Sequence, residues 1–432
     1  MNRICIEAAF AVTCNEQLDV IPDARIHIED NRISFVGAHE LAPVFEADET
    51  IRGKRLVALP GLINTHTHSA MTLMRGYADD MALEPWLHQK IWPFEKNLQP
   101  EDVYWGTQLA IAEMLRGGST TFADMYFFYE RGLDAIIESG IRACPGGVFL
   151  GFLPEAEKRL DKAIAFVKDH QGVADGRVYP FFAPHSLYAC TPPQWEKLVV
   201  AKNDTKVLLH THISETQAEV KMVKEHWGDS PVHVLQKIGA LENPLLAAHC
   251  VQVTPDEIDI MAQTEFAVSH NPTSNMKLAS GCAPVPEFLR RDITVGIGTD
   301  GVASNNDLDM WEEMRLAALV HKMQNRSPID IPAEQALLMA TREGAKCLGL
   351  EKEIGSLETG KKADVTIVDF DAPHLYPLHN VVSHLVYAVH AQDVDTVIVD
   401  GKVLLRDKKF TLLDSARIAA KVEEAVERLT EL

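Results

Sequence analysis

Eight times between residues 57 and 298 a short β-prone run gives way to a different kind of segment. The runs lie at 57–65, 119–125, 141–148, 177–183, 206–211, 244–248, 266–269 and 294–298. Stretches with helical spacing fall between most of them, as at 101–116, 155–170 and 215–226. Strands that alternate with helices build parallel sheets, because each crossover helix returns the chain to the same end of the sheet. Eight such units over roughly 300 residues predict an α/β fold, a (β/α)8 TIM-type barrel with insertions. An open, doubly wound sheet is the alternative. It calls for a glycine-rich phosphate loop after an early strand, and none is found.

The two ends of the chain read differently from its middle. Residues 25–29 and 32–36 alternate apolar and polar, 363–368 and 395–399 are strand-like, and Asp400-Gly401 is a hairpin-turn signal. This predicts a small β-sandwich domain composed of residues 1–57 and 361–432, with the barrel over 58–360. The last stretch, 415–432, has the spacing of an amphipathic helix.

Charge narrows the partners. With 62 acidic against 41 basic residues the net charge is −21, and basic residues cluster no further than pairs such as Arg290-Arg291 and Lys361-Lys362. Such a surface repels polyanions, so a small molecule rather than nucleic acid is the expected partner. Seven cysteines are scattered without a CxxC pair. That suits a reducing compartment and argues against disulfides or a thiolate zinc site. No stretch has the length of a membrane helix, and Glu7 interrupts the place where a signal peptide needs an apolar run. A cytoplasmic protein without membrane attachment is therefore expected. The sequence leaves a homo-oligomer open.

A barrel of this kind carries its reactive groups where strands end at the C-terminal face. Strand one runs into His66-Thr67-His68 and strand four into His185. Strand five ends at His210 and His212, with Glu215 three residues on; strands six, seven and eight end at His249, His270 and Asp300. His66 and His68, two apart, face one side of a strand and can share an ion. Neutral imidazole suits Zn²⁺, and also Fe²⁺. Alone, the pair is as well explained by two packed polar histidines. Four separate strands ending in His or Asp are not.

A catalytic zinc keeps one position for water. His66, His68, one histidine of strand five and Asp300 would supply three nitrogens and one oxygen. His210 and His212 share a face; His212 is nearer the strand end and is preferred, with His210 deeper in the barrel. Glu215, one helical turn beyond, can stand beside the water and shuttle a proton. Its plainer reading is a first-turn acid favoured by the helix dipole.

These segments carry a family resemblance. Pro60-Gly61-Leu62-Ile63-Asn64-Thr65-His66-Thr67-His68 resembles the strand-one motif of the amidohydrolase superfamily. His212-Ile213-Ser214-Glu215-Thr216, Ala248-His249-Cys250, Ser269-His270-Asn271-Pro272 and Gly298-Thr299-Asp300-Gly301 resemble the later motifs of its nucleobase- and triazine-hydrolysing branch. The motifs occur in the expected order, and the likeness covers essentially the whole chain. The segment from His68 through Met74-Arg75-Gly76 and Trp86-Leu87 to Trp92-Pro93-Phe94-Glu95 is most similar to the nucleoside-deaminating members. Ser304-Asn305-Asn306 also fits.

The resemblance implies roles. Glu95 would hold the ribose hydroxyls, Trp86 would line the nucleoside pocket, and His185 would contact substrate. On their own residues, Glu95 reads as a surface acid and Trp86 as a core aromatic. Two-metal members carry a lysine after strand four; Pro184-His185 here implies a single ion. Members that accept a homocysteine tail use basic residues near strands three and four. Arg142 and Arg159 are nearby, but Gly146-Gly147 offers none.

The implied activity is hydrolytic deamination of an adenine nucleoside (methylthioadenosine, S-adenosylhomocysteine or adenosine) at C6, with one zinc per subunit. Asp300 would ligate the metal and take the water proton, His249 would orient the water, and Glu215 would protonate N1. Glu215 and Asp300 thereby also meet the substrate. The alternatives are an aminohydrolase or chlorohydrolase of guanine, a pterin or a triazine; a ring-opening amidase, against which the missing lysine counts; and a non-catalytic scaffold, against which the full set of ligands counts.

Overall fold

The computed structural model describes residues 2–430. Five strands open the chain: β1 (Arg3–Val12), β2 (Val20–Glu29), β3 (Arg32–Ala38), β4 (Glu49–Arg52) and β5 (Leu56–Pro60). Eight follow in the middle: β6 (Leu62–Thr67), β7 (Ser119–Asp124), β8 (Arg142–Phe149), β9 (Phe181–Pro184), β10 (Leu209–Ile213), β11 (Leu245–His249), β12 (Phe266–His270) and β13 (Thr294–Ile297). Four close it: β14 (Val365–Asp369), β15 (Val394–Val399), β16 (Lys402–Arg406) and β17 (Lys409–Phe410).

β6 to β13 pair in parallel and in chain order. Every residue of β6, β7, β10, β11 and β12 is buried. Those strands lie between barrel interior and outer helices, so they read as unbroken runs rather than as alternation. The ring comes together where the end of β13 meets β6. There Thr299 N donates to Asn64 Oδ1 at 3.1 Å and Asp300 N donates to the His66 carbonyl at 2.9 Å. The (β/α)8 expectation holds.

The remaining nine strands form one mixed sheet from both ends of the chain, in the order β17-β16-β15-β14-β5-β1-β2-β3 with β4 beside β1. It curls over an apolar core that includes Ile33 from one edge region and Ile398 from the other. The curl brings two turns together at Gly401, where a Cβ would stand 1.9 Å from the Asp30 carbonyl oxygen. Only glycine fits, and its φ of 74° suits the hairpin anticipated at Asp400-Gly401.

One strand expectation fails. The run 57–65 is not one strand: β5 joins the terminal sheet, antiparallel to β14, and β6 starts the barrel. The switch falls at Pro60-Gly61, where a Cβ on Gly61 would overlap Thr120 Oγ1 at 2.0 Å. Both halves are apolar, so periodicity cannot see the change of sheet. The strand expected over 177–183 is Phe181–Pro184, because Pro180 offers no ladder donor.

Helices begin where the sequence caps them. The helix Pro100–Arg116 has Pro at its first position, and Gln99 N donates to Asp102 Oδ2 at 2.7 Å. The last helix, Ser415–Thr430, buries Ile418, Val422, Ala425 and Leu429. This stripe joins Trp105 of Pro100–Arg116 and Phe94 of the 75–99 insertion in one apolar cluster, and Arg428 pairs with Asp102. Arg142, the first residue of β8, ties the two sheets. Its guanidinium meets Asp364 at 2.7 and 3.0 Å and Asp400 at 3.3 Å, with 2% of its side chain exposed.

Candidate active site

His66 lies in β6, His68 just beyond it, His212 in β10, His249 at the end of β11 and Asp300 three residues after β13. One ligand atom from each of His66, His212, His249 and Asp300 lies within 4.8 Å of the others, all four buried. His68 joins them: its Nε2 is 3.2 Å from Asp300 Oδ1 and 3.3 Å from His212 Nε2. The structure thus assembles the four expected ligands, and His249 with them.

Their hydrogen bonds say what they can hold. His68 Nδ1 sits 2.5 Å from the Met125 carbonyl and His212 Nδ1 2.7 Å from the His185 carbonyl. A carbonyl only accepts, so both Nδ1 atoms donate. His210 Nδ1 likewise donates to the Leu246 carbonyl at 2.8 Å. Burial holds His210 neutral, well below the usual imidazole range, so its Nε2 carries a lone pair. That lone pair, 2.7 Å away, takes the proton of His66 Nδ1. His66 Nε2 is then a bare lone pair, buried, without a hydrogen-bond partner and 3.3 Å from Asp300 Oδ1. Acceptors facing acceptors are repulsive unless a cation lies among them. The donor set of imidazole nitrogens and one carboxylate fits a single divalent metal ion.

Asp300 Oδ2 is occupied elsewhere, accepting from Ser274 at 2.6 Å and Ser304 at 3.0 Å. This leaves Oδ1 toward the histidines. Burial alone would raise Asp300, but its contacts with His66 and His68 hold it well below the carboxylate range. The backbone is strained here. Ser214, His249 and Asp300 sit at φ of 53°, 73° and 60°, the left-handed region that non-glycine residues avoid. Each follows or closes a barrel strand.

Glu215 stands beside this cluster, its Oε2 3.7 Å from His249 Nε2 and its Oε1 accepting from Ser280 at 3.2 Å. Burial, first, and the Asp300 charge raise its pKa, which favours the protonated acid. Glu219 fixes its main chain, accepting from Ser214 N at 2.9 Å and Glu215 N at 2.6 Å. His249 is oriented by Asn275 Oδ1, 2.8 Å from its Nδ1. The His185 ring packs at a tilt on His212, centroids 4.6 Å apart, and burial lowers its pKa to about 3, so it is neutral. Glu95 and Trp86 line the same cavity as His68, His185, Glu215 and Asp300. Glu95 is no surface acid: burial raises it to about 7, against the hydrogen bond from Tyr126.

His270 does not join. Its Nε2 lies 3.1 Å from His321 Nε2 of the outer helix Met310–Asn325. Its neighbour Ser269 faces inward, bonding Thr65 and Asn271, and the two-residue period turns His270 outward. Sequence reasoning missed Asn275, Ser274, Ser280, Glu219 and Tyr126, and set His210 aside as merely deeper. The Nδ1 partners of the ligands are mostly main-chain carbonyls, which no motif spells. A larger cavity, about 620 Å³, opens at the opposite barrel mouth, beside Cys144 and Cys347. It holds none of these groups.

The sequence pattern of the amidohydrolase family matches residues 57–404. A 5-methylthioadenosine/S-adenosylhomocysteine deaminase of Pelotomaculum thermopropionicum is 45% identical over 430 residues, 99% of each chain. A protein of the same name from Moorella thermoacetica is 47% identical over 412 residues, 95% of this chain and 96% of that one. Among solved structures, an adenosine deaminase from Xanthomonas campestris with bound zinc superposes with a TM-score of 0.96 at 35% identity, over 99% of each chain. With its histidines and Asp300 gathered at the barrel's strand ends and relatives of this likeness spanning its length, the chain belongs to the amidohydrolase family of metal-dependent hydrolases.

Proposed function

We propose that this enzyme deaminates an adenine nucleoside at C6, giving the hypoxanthine nucleoside and ammonia, with one zinc ion. The observation that carries the reading is Glu215, buried and biased toward its protonated form, beside a cluster of buried histidines and Asp300 in which His66 Nε2 has no hydrogen-bond partner. The names of relatives 45% and 47% identical point the same way. His66, His68, His212 and Asp300 would hold the ion; Fe²⁺ suits the same donors. When bound, such an ion is a Lewis acid that turns water into a nucleophile near neutral pH.

The chain's own groups do the rest. Protonated Glu215 donates to N1 of the purine and makes C6 electrophilic. Asp300 receives the proton of the attacking water. His249, between Glu215 and the ligands, orients that water. The proton then passes to the departing amine, which leaves as ammonia. Glu95 holds the ribose hydroxyls, Trp86 packs on the nucleoside, and neutral His185 offers a ring nitrogen to it.

The cavity also supports a neutral tail. Beyond Glu95 its wall is Leu83, Leu87, Ile91, Trp92, Val148 and Leu150, and no Lys or Arg lines it among the described residues. Arg142 is locked at the far end of β8, and Arg159 Nε bonds the Pro154 carbonyl. A tail carboxylate would find no cation, so methylthioadenosine or adenosine is the better substrate. The second reading, a bare heterocycle such as guanine or a triazine, leaves the half-buried Glu95 without a substrate group to bind.

No helix among the described residues is long and apolar enough to cross a membrane. The seven cysteines are free thiols, six of them buried, which supports a cytoplasmic enzyme.

The test is ammonia release by zinc-loaded protein from methylthioadenosine, S-adenosylhomocysteine, adenosine and guanine. The expected order places methylthioadenosine first, with guanine inert. Ammonia from guanine alone overturns the nucleoside reading.

A further inference from the structure

The end of β7 is wired to both halves of the site. Asp124 Oδ1 accepts from Ser69 N at 2.7 Å, and Met125 N donates to the Thr67 carbonyl at 2.9 Å. The Met125 carbonyl takes the proton of His68 Nδ1. The next residue, Tyr126, is 3% exposed, and its hydroxyl donates to Glu95 Oε1 at 2.9 Å. Three consecutive residues thus grip the metal-ligand loop on one side and the nucleoside-binding acid on the other.

Glu95 needs such a link. It ends a helix of four residues, Trp92–Glu95, inside an insertion that belongs to no strand of the barrel. Among the described residues its carboxylate has one hydrogen-bond partner, Tyr126, and it lines the cavity. A nucleoside is rigid between C6 and its ribose diol, so the anchor must stand at a fixed distance from the reacting centre. Misplacement by about 1 Å costs on the order of 100-fold in rate.

We propose that Tyr126 is a positioning residue: by fixing one oxygen of Glu95 to the end of β7, it registers the ribose anchor against the metal centre. The inference rests on the nucleoside reading and adds the residue that sets its geometry. Tyr126 touches no reacting atom; it acts through Glu95. With Oε1 held by the phenol, Oε2 is left for the diol.

The test pairs Tyr126→Phe with a substrate lacking the diol, 2′,3′-dideoxyadenosine, beside adenosine. The variant is expected to lower kcat/KM for adenosine at least about 10-fold, with part of the loss in kcat, because a misregistered anchor holds C6 away from the reacting centre. For the dideoxy substrate, variant and parent should have equal kcat/KM. Equal losses on both substrates, or no loss on adenosine, overturn the proposal. Glu95→Ala, which removes the acceptor, supplies the second variant: in that background Tyr126→Phe should cost nothing further on adenosine, and a full additional loss refutes the coupling. If the parent protein deaminates no adenine nucleoside, the nucleoside reading falls, and this proposal with it. Failure of the variant pattern alone removes only Tyr126.

Discussion

His210 binds no metal in this scheme, yet its removal should weaken the metal site in a calculable way. Its Nε2 is the acceptor for His66 Nδ1 at 2.7 Å, and its own Nδ1 is spent on the Leu246 carbonyl. In His210→Phe the buried His66 N–H loses its acceptor. An unpaired buried donor costs about 1–3 kcal/mol. His66 can avoid that cost by moving its proton to Nε2, where it would block the metal. The metal-free protein relaxes in that way, with Nε2 3.3 Å from Asp300 Oδ1, so the loss falls on the liganded state, and 1–3 kcal/mol corresponds to roughly 5- to 150-fold in affinity. Loss of an orienting partner typically costs 10–100-fold. A competition titration against a chromophoric zinc chelator measures the change. At saturating zinc, kcat should stay within a few-fold, since His210 touches neither substrate nor water. Phe fits the space: Phe181 packs its ring edge-on to His210 with centroids 5.2 Å apart, and a second aromatic keeps that contact. His210→Gln, which restores an acceptor, should recover part of the affinity. Unchanged zinc affinity in His210→Phe would show that His66 is not oriented through this bond.

Glu215→Gln should retain full zinc content and lose about 10²–10⁴-fold in kcat, the usual range for a general acid; near-normal turnover would remove Glu215 from the proton path. Arg142→Met leaves Asp364 without its buried partner, and breaking such a pair costs about 3–5 kcal/mol. Urea denaturation of the zinc-loaded protein reads that loss. Turnover of the folded fraction should not change, because the seven steps from Arg142 to Phe149 span roughly 23 Å. Glu313, buried, accepts from Asn305 at 2.7 Å, and burial raises it from 4.5 to about 8. Its folded pKa lies above the unfolded one, so its contribution is complete below about 4.5 and is lost as pH climbs through 8. Glu313→Gln should therefore gain stability on the parent between pH 5 and 8 and track it below pH 4.5; parallel profiles across that window would show that Glu313 is ionised in the fold.

What the sequence disclosed follows from which physics is local. The barrel was legible because strands buried on both faces are contiguous apolar runs. His66 and His68 were legible because a two-residue spacing has one geometric meaning on a strand. His270 misled, since the same rule needs the phase of the strand as well as its period. Only the inward bonds of Ser269 fix that phase. The switch of sheets at Gly61 was invisible because β5 and β6 are equally apolar. Glu95 reads as a surface acid on its own residues, and only the folded insertion half-buries it against Tyr126.

The site's supports are not a second set of motifs but the barrel itself. Met125 follows β7, His185 follows β9, and Leu246 lies within β11; the carbonyls of these three residues set the protons of His68, His212 and His210. Each histidine therefore takes its tautomer from a neighbouring stretch of main chain, in a register fixed by the parallel ladder. A side-chain substitution on those neighbours leaves the carbonyl in place. A one-residue slip of the ladder would withdraw it and also turn the ligand to the opposite face. Ligand orientation is thus as secure as strand pairing. Other parts of the site are held by side chains: Glu95 by Tyr126, His249 by Asn275, and the carboxylate of Asp300 by Ser274 and Ser304. The first lies in the insertion, outside the barrel strands; the other two stand at strand ends, within the buried cluster. In the proposed scheme substrate preference can therefore drift around Glu95, outside the barrel strands, while His68 and His212 stay bound to the register of the sheet.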